Sequence, residues 1–310
     1  MARLTNWELP VNKETLNRIV QFLLDAKKSA EFMRLENGVI DVAEVFSLER
    51  LRELLANPLL TPEWLQLTLE GRILDLRQSV GFKVVQDKKL FFLDKDLLNQ
   101  ALAKRAAVVL EGLDLMDSAL AYLVTNLEQT MPCSMSNCEA FFSRSGNEAY
   151  NGHRDSDDVL VIQIAGTKRW RVHQPQQRRY LNNAPLTDSM MGPIAGQFEL
   201  NPGDIMFLKA GVPHKCTTVT DHSLHLSFDL IDRTLSIEQI TKAANAHYNN
   251  ATAEPHAPVS AVIDKYIDYL TSDRFKTEIE KASADQKREA ALYRQKFTDA
   301  SKMPNLNLKK

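Results

Sequence analysis

The sequence predicts an α+β protein: an antiparallel β sandwich or barrel in the middle of the chain, between two mainly helical flanks. Between Ser134 and Leu230, seven short strand-like runs alternate with turn chemistry at Asn151-Gly152, Ala165-Gly166, Asn201-Pro202-Gly203-Asp204 and Ala210-Gly211. Before residue 105 and after Asp232, apolar residues recur at helical spacing. The 310 residues, 44% hydrophobic and 25% charged, have the balance of an ordinary globular chain long enough for one large domain or two smaller ones. The expected division is a helical region with short strands over 1–105, a β core over 106–232 and a helical region over 233–310.

Each element has a local reason. Asn12 is a good N-cap, and Leu16, Ile19, Val20, Leu23 and Leu24 after it form one helical face. Ser47 caps a second helix carrying Leu48, Leu51, Leu54 and Leu55. Thr61-Pro62 reads as the start of a third, with proline at its first position. Phe82–Val85, Leu90–Leu93 and Ala106–Leu110 have the length and composition of strands. Leu97–Ala103 and Ala119–Leu127 read as helices. The core strands are expected at Ser134–Ser143, Val159–Ile164, Arg169–His173, Gln197–Leu200, Ile205–Leu208, Lys215–Val219 and Leu224–Leu230. Ile237–Tyr248 and Val259–Leu270 read as helices, joined by a linker over 251–258 that holds two prolines. From Thr271 to Lys310 there are 10 Lys+Arg against 6 Asp+Glu and few apolar residues, so this tail should dock on another surface.

Composition excludes several classes of function. A net charge of −2 makes nucleic acid an unexpected direct partner. No apolar run approaches the roughly 18 residues that a membrane span needs, and the first residues lack a signal-peptide core. The three cysteines, Cys133, Cys138 and Cys216, contain no CxxC pair. They suit neither a disulfide framework nor a structural zinc site, and a reducing cytoplasm is expected.

The chemistry-bearing residues are few. In Asn151-Gly152-His153-Arg154-Asp155, an imidazole and a carboxylate stand two residues apart, which on a strand places both on one face. Far downstream, Gly211-Val212-Pro213 presents His214. Two histidines and one carboxylate can hold one face of an octahedral metal and leave three positions open. HxD alone specifies little; its context carries the weight.

The run from Asp158 through Lys168-Arg169-Trp170-Arg171-Val172 to Pro175 resembles the JmjC-type cupins, closest to the ribosomal-oxygenase branch and its bacterial relatives. Gly203-Asp204-Ile205 through Gly211-Val212-Pro213-His214 resembles their second metal-binding segment. Ser223-Leu224-His225-Leu226-Ser227 resembles a later strand, and Ala107–Gly112 the strand before the core. The resemblance covers Ala107 to Leu230, about 40% of the chain. It implies a double-stranded β-helix (jelly roll) and an Fe(II)/2-oxoglutarate-dependent dioxygenase. Such an enzyme uses O2 to hydroxylate an unactivated C–H, releasing succinate and CO2. His153, Asp155 and His214 match the iron ligands. Lys168 matches the cation for the distal carboxylate of 2-oxoglutarate, and His225 a position that faces the cosubstrate pocket in some relatives. Where relatives often carry a cosubstrate-binding tyrosine, this chain has Phe141, with Ser143 or Tyr150 as available substitutes. Trp170 reads as a core residue. The implied substrate is a protein or peptide residue, or an amino-acid-like small molecule. A homodimer through the C-terminal helices is expected. The rival reading is a cupin that is non-catalytic or uses another metal, acting in binding or assembly.

Overall fold

Alternation along the central strands decides the architecture. In Asp158–Ala165 the odd residues Val159 and Val161 belong to one apolar cluster, and the even residues Leu160, Ile162 and Ile164 to another. A strand sheds side chains to both faces in turn, so this one is buried on both. The computed structural model describes residues 11–29, 31–38, 40–69, 72–130, 134–146, 150–175, 185–231, 259–281 and 284. The chain divides into two compact units, Met1–Ile231 and Asp232–Lys310.

The first unit opens with α1 (Lys13–Ser29), β1 (Phe32–Leu35), α2 (Val42–Val45) and α3 (Leu48–Ala56). Asn12 caps α1 by accepting from Thr15 N, and Ser47 caps α3 by accepting from Arg50 N. Next come β2 (Leu65–Leu69), β3 (Arg72–Ile73), β4 (Val80–Val85), β5 (Lys88–Leu93), α4 (Lys95–Ala103), β6 (Ala107–Leu110), α5 (Leu113–Met116) and α6 (Ser118–Thr130). The core follows as β7 (Ser134–Arg144), β8 (Asp158–Ala165), β9 (Lys168–His173), α7 (Asp188–Met191), β10 (Ile194–Leu200), β11 (Ile205–Leu208), β12 (His214–Thr218) and β13 (His222–Ile231).

Two sheets make the core. The larger runs β1-β11-β8-β13-β7-β6-β2-β3, and the smaller β10-β9-β12. Val159, Val161, Trp170, Val172, Phe198 and Met206 are among the side chains gathered into a small cluster from strands of both sheets. The other face of the larger sheet is covered by the main core, to which α1 and α6 contribute Ile19, Leu23, Leu120 and Leu123. This is the jelly-roll arrangement of a β core with helices on one face. β1, β2 and β3, from the first quarter of the chain, extend the same sheet as the core strands.

One sequence expectation is corrected. Thr61-Pro62 opens only a single 3-10 turn, Pro62–Trp64, with no side-chain cap, and the chain then enters β2. Leu65-Gln66-Leu67 alternates with period two, and pairing of β2 with β6 outweighs the helix-start signal. β1 is a further strand beyond those expected, added to the sheet edge against β11. β4 and β5 pair as a separate hairpin, turning at Gln86 and Asp87 with φ of 48° and 66°. Both hairpin strands lie largely exposed, Phe82, Val84 and Phe91 among them.

In the second unit, α8 (Val259–Thr271) is followed by a helical segment over 273–281. Tyr269 meets Phe275 edge-on at 5.1 Å and donates to Glu278 Oε2 at 2.7 Å. The expected helix 237–248, the linker 251–258, the tail beyond residue 284 and Cys133 lie outside the described residues.

The β8–β9 turn aims Lys168, and it depends on Gly166. Its φ is +63°, and a Cβ there would lie 1.9 Å from the His222 carbonyl oxygen. Gly166→Ala should therefore destabilise the chain by about 2 kcal/mol or more, from left-handed strain plus a backbone clash. Thermal denaturation checks this; an unchanged Tm would show that the turn relaxes freely.

Candidate metal centre and its inner pocket

Three ligand-type side chains converge at one end of the core. Ligand atoms of His153, Asp155 and His214 all lie within 4.8 Å of one another. His153 Nε2 is 3.5 Å from Asp155 Oδ1, and His214 Nε2 is 3.6 Å from Asp155 Oδ2. The local structure differs from the strand that the HxD spacing suggested. His153 forms an isolated bridge with His214, and Asp155 lies in the loop before β8. Residues 153 and 155 still converge because backbone bonds stitch this loop to the one before β12. His153 N donates to His214 O (3.0 Å), His214 N to His153 O (2.8 Å) and Gly211 N to Asp155 O (2.9 Å).

The tautomers follow from the hydrogen bonds. His153 Nδ1 is 2.8 Å from Asn151 O, and His214 Nδ1 is 3.1 Å from Val212 O. A carbonyl only accepts, so each Nδ1 carries the proton and each Nε2 keeps its lone pair. Burial, then the neighbouring His153, pull His214 down to about 4, so it is neutral at pH 7. Two imidazoles and a carboxylate, each imidazole oriented by a backbone carbonyl, fit a divalent transition metal.

Deeper in the core lies Lys168, only 1% exposed. On β9, Lys168, Trp170 and Val172 are buried, whereas Arg169 and Arg171 are exposed. Lys168 Nζ donates to Ser143 Oγ at 3.1 Å, and Ser143 Oγ meets Thr218 Oγ1 at 2.7 Å. Among the described residues no carboxylate pairs with this cation. His225 is 3% exposed and stacks on Phe141 at 4.9 Å and 4°. Burial, then Lys168 and His214, hold it well below the usual histidine range, so it is neutral. Tyr150 packs at the mouth, 5.4 Å from the His153 ring and 5.8 Å from Phe141.

The geometry thus brings His153, Asp155 and His214 together and sets Lys168 and His225 behind them. Trp170 lies in the core as expected, 3% exposed and part of the small inner cluster. Its ring lies 5.6 Å from His214 and 5.5 Å from His225, so it separates metal-ligand level from lysine level. Cys138 is buried, and Cys216 is half-buried and packs against the small inner cluster.

The mouth is acidic. Burial, then Asp229, Glu111 and Asp155, push Glu139 up to about 8, opposed by a 2.5 Å bond from Asn137 Nδ2. Burial, then Asp155, Asp157 and Glu111, raise Asp229 to about 6.

Residues 118–237 match the family model of the JmjC domain. Ribosomal oxygenase 2 of Rattus norvegicus is 24% identical over 106 residues, which cover 33% of this chain and 23% of that protein. The bifunctional lysine-specific demethylase and histidyl-hydroxylase NO66 of Dictyostelium discoideum is 24% identical over 110 residues, covering 34% and 21%. The chain therefore spans about a fifth of the length of these curated relatives. Among solved structures, E. coli YcfD aligns with a TM-score of 0.53 at 15% identity, over 81% of this chain and 68% of that one. YcfD, a ribosomal oxygenase, is also known in complex with cobalt and 2-oxoglutarate, and that structure aligns with a TM-score of 0.51 at 15% identity. At these identities the likeness establishes the jelly-roll fold.

Glu139 gives a pH test. Its carboxyl holds a proton more tightly in the folded chain than in the unfolded one. Its contribution to stability is therefore fully present below about 4.5 and is lost as pH rises toward 8. Glu139→Gln removes this loss. The Tm difference between variant and wild type should be near zero at pH 4.5 and grow in the variant's favour up to pH 8. A pH-independent difference would contradict the acidic, buried setting.

Proposed function

We propose that this chain, whose residues 118–237 match the family model of the JmjC domain, is an Fe(II)/2-oxoglutarate-dependent oxygenase that hydroxylates an unactivated C–H of a protein or peptide residue. One observation carries the reading. Two imidazole Nε2 atoms and a carboxylate face each other at 3.5–3.6 Å, in front of a buried lysine that has no carboxylate partner among the described residues. A binding or assembly protein has no use for that buried, unmatched cation beside an open three-ligand set. The names of the relatives support a protein substrate; an amino-acid-like small molecule is the other arm of the test.

His153, Asp155 and His214 would hold Fe(II), and Lys168 with Ser143 would hold a carboxylate of 2-oxoglutarate, with His225 lining the same pocket. When bound, the metal, the cosubstrate and O2 supply oxidative decarboxylation to succinate and CO2 coupled to oxygen insertion into a C–H bond. The chain's own residues prepare this. The Asn151 and Val212 carbonyls fix which histidine nitrogen is free. Asp155 contributes a negative charge that strengthens binding of a divalent cation. Lys168, held by Ser143, offers further N–H bonds at a fixed depth, so a dicarboxylate can be oriented with one end toward the metal ligands. Val159, Val161 and Val172 keep that space apolar and exclude water. The β core over 106–232 is the catalytic region in this reading, preceded by residues 1–105 that share its sheet. A cytoplasmic location goes with it.

The region after Asp232 is proposed to mediate a homodimer. Ile263 and Ile267, one turn apart on α8, are each 51% exposed, which supports an apolar contact there.

The deciding assay is substrate-dependent succinate release with Fe(II) and 2-oxoglutarate, run against ribosomal peptides and free amino acids. Asp155→Ala should leave a folded chain that binds iron weakly and releases no succinate; a normally active variant would sink the metal assignment. Lys168→Ala should raise the KM for 2-oxoglutarate about ten- to hundredfold, the worth of a charge-assisted hydrogen bond. An unchanged KM would place the cosubstrate elsewhere. For the dimer, light scattering should give twice the chain mass at micromolar concentration, and a monomer refutes it.

A further inference from the structure

β4 and β5 form a two-stranded sheet of their own, and among the described residues no third strand pairs with either edge. Such a ribbon is marginal in water; a third strand or a packed face normally stabilises it. Here neither face is packed. Cross-strand partners share a face, so the register Phe82↔Phe91 and Val84↔Lys89 puts Phe82, Val84 and Phe91 on one side, each more than half exposed. Lys83↔Leu90 and Gly81↔Phe92 put Leu90 and Phe92 on the other, with Val85 beside them, at 39–46% exposure. Apolar surface residues are ordinarily scattered singly, whereas these are contiguous. Only the base is anchored, by Leu93 in the main core.

The turn fixes which backbone groups point outward. Gln86 and Asp87 both have positive φ, the signature of a two-residue type I′ turn, whose closing pair, Val85 and Lys88, is hydrogen-bonded. Hydrogen-bonded and non-hydrogen-bonded pairs then alternate along the antiparallel ladder. Lys83 bonds inward to Leu90, whereas Phe82 and Val84 turn their N–H and C=O groups away from β5. On β5 the outward residues are Lys89 and Phe91, and Lys88-Lys89 guards that edge, as lysine does on many sheet edges. β4 carries only Lys83, whose backbone faces inward, so β4 is the open edge.

Charge defines what fits it. The hairpin holds Lys83, Lys88 and Lys89 against one acid, Asp87, and so is locally basic in a chain of net charge −2. Lys89 Nζ reaches over the Phe82 ring, 3.8 Å from its centroid, which sets its charge on the β4 side of one face. Lys83 stands on β4 on the other face. A strand laid along β4 therefore meets apolar side chains and a positive charge on each face. A second copy of the hairpin would bring like charge against like. A nucleic acid stacked on the aromatic rings would leave the edge unused.

We propose that β4 is a docking edge for an extended, acidic segment of another polypeptide, which adds to the hairpin as a third strand. Its backbone pairs with Phe82 and Val84, its alternate side chains cover both apolar faces, and its carboxylates meet Lys83 and Lys89. The inference stands independently of the function proposed above.

The test uses the full chain and a fluorescein-labelled peptide, Glu-Val-Thr-Val-Thr-Val-Thr-Glu, whose two glutamates fall on opposite faces of a strand. Its counterpart carries lysine for glutamate. Anisotropy should rise to saturation with the acidic peptide and show binding about tenfold weaker, or none, with the basic one. Val84→Pro removes an outward N–H without touching the hairpin's own ladder, and Lys83→Glu reverses a charge; each should weaken binding about tenfold with Tm near wild type. If Val84→Pro does not fold, Lys83→Glu and amide exchange on the wild type carry the test. There, the acidic peptide should slow exchange of the Phe82 and Val84 N–H groups and leave those of Lys83 and Val85 unchanged. The proposal is overturned by absence of saturable binding, by equal binding of the two peptides, or by a folded Val84→Pro with a Kd within twofold of wild type. Protection of Lys89 and Phe91 instead of Phe82 and Val84 overturns the assignment to β4. A light-scattering mass that Val84→Pro halves shows that a second copy takes the edge, and overturns it too.

Discussion

The site depends on one reciprocal pair of backbone hydrogen bonds, between His153 and His214. These residues are 61 positions apart, and their side chains can share a metal only if their backbones are held in register. The bridge does that without help from a ladder, because His153 lies outside any strand. Two more bonds reinforce it, Gly211 N to Asp155 O and Ala210 N to Asp158 Oδ1. The first links the HxD loop, and the second the start of β8, to the turn before β12. The loop thus has few conformations left to lose when a ligand binds, and the ligand set is formed in advance.

The same economy governs the interior. A buried lysine without a carboxylate partner is costly, since among the described residues desolvation of its charge is offset by Ser143 alone. The chain keeps it by making everything around it rigid. Gly166 allows the tight turn into β9, Gln163 ties down that turn through Ala165 and Gly166, and Ser143 is itself held to Thr218. A group so firmly supported and so poorly matched in charge is explained by what it is built to receive.

Most of the architecture was legible because the strands alternate and the turns are punctuated. β8, β9, β11 and β13 lie where apolar runs meet Gly, Asp and Pro. The error at Thr61-Pro62 has a physical origin: cap and proline signals govern one turn, whereas β2 is fixed by pairing with β6, some forty residues away. β1 was illegible for the same reason, since Phe32–Leu35 is a strand only because β11 has a free edge. At the site, HxD and the distant histidine could be read as types and spacing, but not the loop geometry that joins them.

Charge is arranged along the depth of the site, and this orders the steps of binding. The mouth carries Asp155, with Glu139, Asp229 and Glu111 nearby; besides burial, the fields of Asp229, Glu111 and Asp155 raise the proton affinity of Glu139, and those of Asp155, Asp157 and Glu111 raise that of Asp229. The inner end carries Lys168. A dicarboxylate moving inward must pass the acidic mouth before it reaches the lysine, and at a separation of several ångströms in a partly desolvated space that repulsion is substantial. A divalent cation on His153, Asp155 and His214 would reverse the sign of the field at the same point. Protonation of Glu139 at neutral pH weakens the repulsion further. In the function proposed above, this charge pattern would favour metal before cosubstrate: the ion would be drawn to the acidic mouth, and the anion would then meet positive charge at both ends of its path.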